Sequence, residues 1–150
     1  MNTSQQDEQQ NLHEKKSEAV VSGETVVIVG ASHKPERYAY KAMKMLEEYG
    51  HHTILMNPRG GEIEGHVVFT SLAEISAKLC TENSAKVDTV TLYVGEERSS
   101  ILKDELISLS PRRVIFNPGA ENPLLQAALQ DAGIEPVEAC TLVLLRTKQF

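Results

Sequence analysis

A chain of 150 residues is long enough to bury an ordinary core without staples and short enough to form one domain. With 41% apolar and 24% charged residues it has a globular composition, and a net charge of −6 withholds the basic face that non-specific nucleic-acid binding needs. No apolar run approaches the roughly 20 residues of a membrane span, so neither nucleic acid nor membrane is expected as a partner.

The start, Met1-Asn2-Thr3-Ser4-Gln5-Gln6-Asp7, has neither the basic nor the apolar region of a signal peptide. Cys80 and Cys140 are too few and too far apart for a disulfide framework or a zinc site, which suits a reducing compartment. A cytoplasmic protein is the expectation. Residues 1–23 are rich in Gln, Glu, Lys and Ser, with Leu12 and Ala19-Val20-Val21 as their apolar content. Such a segment buries too little surface to offset its ordering entropy. It reads as a flexible N-terminal tail, with an amphipathic docking helix as the competing reading, and the domain proper spans 24–150.

From Glu24 onward strand and helix alternate. Thr25–Val29 is apolar without alternation, as a parallel strand buried on both faces requires. Ala39, Ala42, Met43 and Leu46 recur at helical spacing, and Gly50 supplies a left-handed stop. Thr53–Met56 is the second strand and runs into Asn57-Pro58-Arg59-Gly60-Gly61. Val67–Phe69 is a short extended piece, and Ser71-Leu72-Ala73-Glu74 is a capping box that opens a brief helix. A polar connector covers 80–86. Val87–Val94 is another buried strand stopped by Gly95, and Leu102, Leu106 and Leu109 mark one helix ended by Pro111. Arg113–Phe116 is the next strand and meets Asn117-Pro118-Gly119-Ala120. Asn122-Pro123 reads as an N-cap with proline at the first helical position, and Leu124, Leu125, Ala128 and Leu129 supply that helix's inner face. After Gly133, Ile134–Val137 is a last strand, leading into the apolar run Cys140–Leu145.

This alternation predicts an α/β fold: a single three-layer, Rossmann-like, doubly wound domain with a mainly parallel sheet. Ligands of such sheets bind beyond the carboxyl ends of the strands, at the switch point. Three strand ends carry suitable loops: Gly30-Ala31-Ser32, Asn57-Pro58-Arg59 and Asn117-Pro118-Gly119. Tight turns alone would explain either Asn-Pro pair. Their shared place at carboxyl ends, beside a turn feeding a helix N-terminus, also suits an anion site.

The turn departs from a dinucleotide fingerprint. It has one glycine, Gly30, followed by Ala31, Ser32, His33, Lys34 and Pro35, and the second strand ends in Asn57 rather than an acid for the ribose diol. A Walker A pattern is absent too. Ser32, Lys34 and Arg37 instead bring a hydroxyl and two cations, which suits a ligand with more phosphate charge than NAD. Tyr38 and Tyr40 could pack on a ring or serve the helix start. His33 and His51-His52 show no ligand spacing with a Cys or carboxylate, so no metal is assigned.

Val-Gly-Ala-Ser-x-Lys-Pro-x-Arg-Tyr-x-Tyr at 29–40, Asn57-Pro58 and Gly65 resemble the stand-alone CoA-binding domain family. The segments 114–123 and 133–143 are similar to one branch of it. That family is similar to the nucleotide-binding domain of the succinyl-CoA synthetase α chain. The resemblance covers residues 25–150 and implies coenzyme A as the cofactor. It implies Gly30, Ala31 and Ser32 around the pyrophosphate through backbone and hydroxyl donors, with Lys34 and Arg37 neutralising charge. It places Asn57 and Pro58 on the second-strand side, Arg59 at the adenosine or its 3′-phosphate, and Tyr40 nearby. Asn117, Pro118 and Gly119 fall toward pantetheine. One departure is Phe116-Asn117, where the family often has a Gln-containing strand end. Cys140 reads first as a small buried hydrophobe, and second as a thiol facing that of CoA.

No nucleophile–base set can be argued from spacing, and the related ligases carry their phosphorylated histidine on a further domain. The expectation is therefore a non-catalytic binding protein for CoA or acyl-CoA. The alternatives are an NAD(P)-binding oxidoreductase or redox-sensing domain, and an interaction protein that docks through its tail. A homo-oligomer is left open, with no surface selected.

Overall fold

The computed structural model describes residues 23–82 and 86–150. The expected tail and part of the polar connector lie outside them. β1 (Thr25–Val29) is the centre of the sheet because both of its faces are apolar and buried. Val26 and Ile28 face a layer built from Ala39, Met43, Leu46 and Leu145, whereas Val27 and Val29 face Leu72, Ile75, Leu106, Leu125 and Leu129. Period-two alternation within one strand thus divides the core into two, which makes three layers.

α1 (Tyr38–Glu48) follows β1 and buries Ala39, Ala42, Met43 and Leu46, the four positions that the helical spacing marks. β2 (His52–Met56) returns parallel to β1. β3 (Glu62–Ile63) and β4 (His66–Phe69) form a hairpin whose two turn residues, Glu64 and Gly65, both have positive φ, the requirement of a tight turn between twisted strands. α2 (Leu72–Thr81) opens on Ser71, whose hydroxyl accepts from the Glu74 amide at 3.1 Å. The Glu74 carboxylate reaches back to the amide and hydroxyl of Thr70, one residue earlier than a capping box would place it.

β5 (Thr89–Leu92) pairs with β1 on the side opposite β2. It is shorter than the expected Val87–Val94, and just before it the Asp88 carboxylate accepts the Thr25 amide at 2.8 Å. The single helix expected from Leu102, Leu106 and Leu109 is two: α3 (Glu96–Ser100) and α4 (Lys103–Leu109). β6 (Arg113–Phe116), α5 (Pro123–Asp131) and β7 (Glu135–Glu138) follow, with Asn122 capping α5 through Leu125 N–H at 3.1 Å. The apolar run after β7 is a further helix, α6 (Thr141–Arg146), whose Leu145 joins the α1 side of the core.

The sheet order is β3-β4-β2-β1-β5-β6-β7, parallel except for β3. From β1 the chain winds outward through β2 and β4, then returns to β5 and winds the other way. The switch point is therefore the crevice between β1 and β5, where a ligand of such a sheet belongs.

Candidate functional site

The strand ends at this crevice open into a cleft of about 610 Å³. Gly30, Ala31, Ser32, Lys34 and Arg37 line it from the β1 turn, Asn57 and Arg59 from the end of β2, and Pro118 and Gly119 from the end of β6. These are the loops that the sequence places at the carboxyl edge.

Gly30 is fixed by sterics. Its φ is +89°, and a Cβ there would meet the Tyr93 carbonyl oxygen at 2.9 Å and Val94 Cγ1 at 3.0 Å. The glycine lets the β1 turn press against the end of β5. The amides of Gly30 and Ala31 both donate to the Met56 carbonyl, at 3.0 and 3.1 Å, so neither N–H is free for the pyrophosphate role that the resemblance implies. The open donors lie further along. The Ser32 and His33 amides make no hydrogen bond within the described protein, and the Ser32 hydroxyl accepts from Lys34 N–H at 3.1 Å.

α1 then begins at Arg37 with no side-chain cap and no acid in its first turn, whereas α2 and α5 are capped by Ser71 and Asn122. Tyr38 and Ala39, at its first positions, line the cleft. Unsatisfied amides and the positive end of the helix dipole therefore face the same space as Lys34 and Arg37. Among the described residues Lys34, Arg37, Arg59 and Arg98 enter no ion pair, and Glu62 is the one acid in the lining. The combination suits a ligand carrying several negative charges.

Asn57 serves as a brace. Its side-chain amide donates to the Ala31 carbonyl at 2.9 Å and its oxygen accepts from Arg59 N–H at 3.0 Å, which ties the β2 loop to the β1 turn. Four sequence candidates stand apart from the cleft. Pro58 is outside its lining. The Tyr40 hydroxyl bonds to the Glu64 carboxylate, which Lys44 also holds at 2.9 Å. Those two partners hold the Glu64 carboxyl below its usual range, and the trio pins the β3–β4 turn to α1. The tyrosine on the cleft is Tyr38, with Lys41 Nζ 5.5 Å from its ring centre.

Asn117 is buried, and its functional groups are used inside the protein. Nδ2 donates to Thr91 Oγ1 at 2.6 Å and to the Leu92 carbonyl at 2.9 Å, and Oδ1 accepts from Thr141 N–H at 2.9 Å. It locks β6 to β5 and to the start of α6, and Pro118 and Gly119 form the wall above it. Cys140 is half-buried at the N-cap of α6 and is not among the residues lining the cleft.

Other wall residues carry weaker sequence signals. Tyr93 lines the β5 side, and burial pushes its phenol up to about 12, so it stays protonated. The Thr141 and Thr91 hydroxyls, near enough to soften that shift, bond to each other, and the Tyr93 hydroxyl is left without a partner. Arg98, shortly after Gly95, repeats the pattern of Lys34 after Gly30 and could have been flagged on that ground. Gly60, Gly61 and Ile63 enter through the β3 hairpin, which is too short to announce itself by periodicity.

The donors present fit CoA: cations and open amides for phosphates on the β1–β2 side, and a largely uncharged wall of Val94, Pro118, Gly119 and Ala120 toward β6. The fold and this cleft define a Rossmann-like domain whose ligand position is the switch-point crevice. The family model described as CoA binding domain matches residues 24–146, and the chain belongs to that family.

A crystal structure described as an uncharacterized protein is 36% identical, covering 86% of this chain and 99% of that one with a TM-score of 0.75. A hypothetical protein from Pyrococcus horikoshii OT3 is 25% identical over 91% of this chain and 90% of its own, with a TM-score of 0.74. A Thermus thermophilus protein at 24% identity, spanning 91% of this chain and 98% of that one with a TM-score of 0.71, shares the fold. Among the described residues no helix is long and apolar enough to cross a membrane, and no cluster of three His, Cys, Asp or Glu could hold a metal.

Proposed function

We propose that the chain is a non-catalytic binding protein for coenzyme A or acyl-CoA, with the cofactor's phosphates at the first strand-to-helix turn. The observation that carries this reading is the uncapped, acid-free N-terminus of α1, which opens into the cleft beside Lys34 and Arg37. An anion there would meet the open amides of Ser32 and His33 and the positive helix end together. Arg59, at the end of β2, falls to the 3′-phosphate side. The reading as a binder rather than a catalyst draws on the Ser32 hydroxyl, which is occupied by Lys34 N–H and has no base bonded to it.

The NAD(P) alternative is disfavoured by Asn57. It stands where an acid would hold the ribose diol, and its amide is consumed by Ala31 and Arg59.

Calorimetric titration separates these readings. CoA is expected to bind saturably, dephospho-CoA about twofold to fivefold more weakly for the loss of an exposed charge pair, and NAD not measurably. Equal affinities for CoA and dephospho-CoA would remove the role of Arg59, and no heat with CoA would refute the proposal.

A further inference from the structure

The Gly30 turn packs directly against the Tyr93 carbonyl and Val94, so the crevice between β1 and β5 has two walls, and both carry cations. Lys34 and Arg37 stand on the β1 wall. Arg98, on α3, lines the cleft from the β5 wall and enters no ion pair among the described residues. Glu97 and Glu96 lie one and two positions before Arg98 on the same helix, spacings that do not face each other.

The helix that carries Arg98 is itself anchored. The buried Asn122 donates through Nδ2 to Ser99 Oγ at 2.9 Å, to Ser100 Oγ at 2.9 Å and to the Glu96 carbonyl at 3.3 Å, while its Oδ1 caps α5. One side chain therefore fixes α3 against α5 on the far side of the crevice from α1. Ser99 is fully buried under this lock, and Arg98, the residue just before it, lines the cleft.

We infer that Arg98 is a binding residue that grips the ligand's pyrophosphate from the β5 wall, opposite Lys34 and Arg37. This rests on the CoA reading above and adds a second side to it: the diphosphate is clamped across the switch point rather than held on one helix terminus. A guanidinium presents paired donors suited to phosphate oxygens, which makes it the stronger member of such a clamp. Pantetheine is uncharged and offers Arg98 no comparable partner. The other anions that a ligand could bring to this wall are the 3′-phosphate, which dephospho-CoA and ADP lack, and a carboxylate on an acyl group, and the test distinguishes all three.

The experiment titrates the wild type, Arg98→Gln and Arg98→Lys with CoA, dephospho-CoA, ADP and malonyl-CoA, after confirming unchanged melting for these exposed substitutions. The proposal predicts that Arg98→Gln weakens all four by a similar factor, about tenfold, because all four contain the pyrophosphate. The loss should shrink at high salt, and Arg98→Lys should recover part of it. Unchanged CoA and ADP affinity in Arg98→Gln would overturn it. So would a loss confined to malonyl-CoA, which would assign Arg98 to an acyl carboxylate. A wild type that binds ADP but not CoA would instead remove the cofactor reading and leave the clamp standing; one that binds neither would remove both.

Discussion

Replacing Gly30 with alanine tests the packing that shapes the cleft. Two costs add. A residue with a Cβ at φ +89° carries a strain of about 1–2 kcal/mol. The new methyl would also lie 2.9 Å from the Tyr93 carbonyl oxygen and 3.0 Å from Val94 Cγ1. The valine can yield, but the carbonyl belongs to the backbone beside β5, so overpacking adds about 1–3 kcal/mol. The expected total is about 2–5 kcal/mol, a large share of the stability of a domain of this size. Gly133→Ala is the control: its φ is +81°, yet nothing lies within 4 Å of the added Cβ, so only the strain applies. Urea unfolding of both variants, read by midpoint and slope, gives the comparison. Gly30→Ala should lose clearly more than Gly133→Ala and should also bind CoA less well, because relief of the clash moves the β1 turn. Equal losses in the two variants would refute the close approach of β1 and β5.

Asn117→Ala should cost about 3 kcal/mol in chemical denaturation, since it strands the Thr141 amide and the Leu92 carbonyl in the interior; a loss below about 1 kcal/mol would contradict the lock described here. His51 provides a pH dependence. Its Nδ1 accepts from Glu24 N–H at 2.9 Å, which requires the neutral ring. Burial holds its pKa below the ordinary 6.5, the Glu24 carboxylate partly opposes this, and Arg113 reinforces it. The folded state thus binds the proton less readily than the unfolded chain. The contribution of His51 is complete above pH 6.5 and is lost as pH falls through the depressed folded value. Urea midpoints between pH 7.5 and 5.5 should fall less steeply in His51→Asn than in the wild type, and parallel slopes would exclude the ring.

The central βαβ unit was legible because strong periodicity and punctuation agreed there. The β-branched run of β1, the four apolar positions of α1 and the Asn122-Pro123 cap each appear in the structure as read. The α3–α4 break was not legible. Glu96–Ser100 has no apolar stripe and is held by hydrogen bonds from Asn122, a partner distant in sequence. β3 has two residues and exists only through its pairing with β4.

At the site, residue types at strand ends located the cleft, but not which atoms are free. Gly30 and Ala31 spend their amides on Met56, and Asn117 spends its side chain on Thr91, Leu92 and Thr141. Tyr40 and Tyr38 sit two apart on α1. Only the partner offered by the β3–β4 turn, Glu64, decides which of them leaves the cleft.

Backbone amide resonances followed during a CoA titration show whether CoA phosphates sit at the N-terminus of α1. Saturable shifts are expected to be largest at Ser32, His33, Tyr38 and Ala39, with the Gly30 and Ala31 amides moving less because Met56 already holds them. Shifts centred instead on the second, smaller cavity between β2, β4 and α2, near His66 and Leu79, would contradict it.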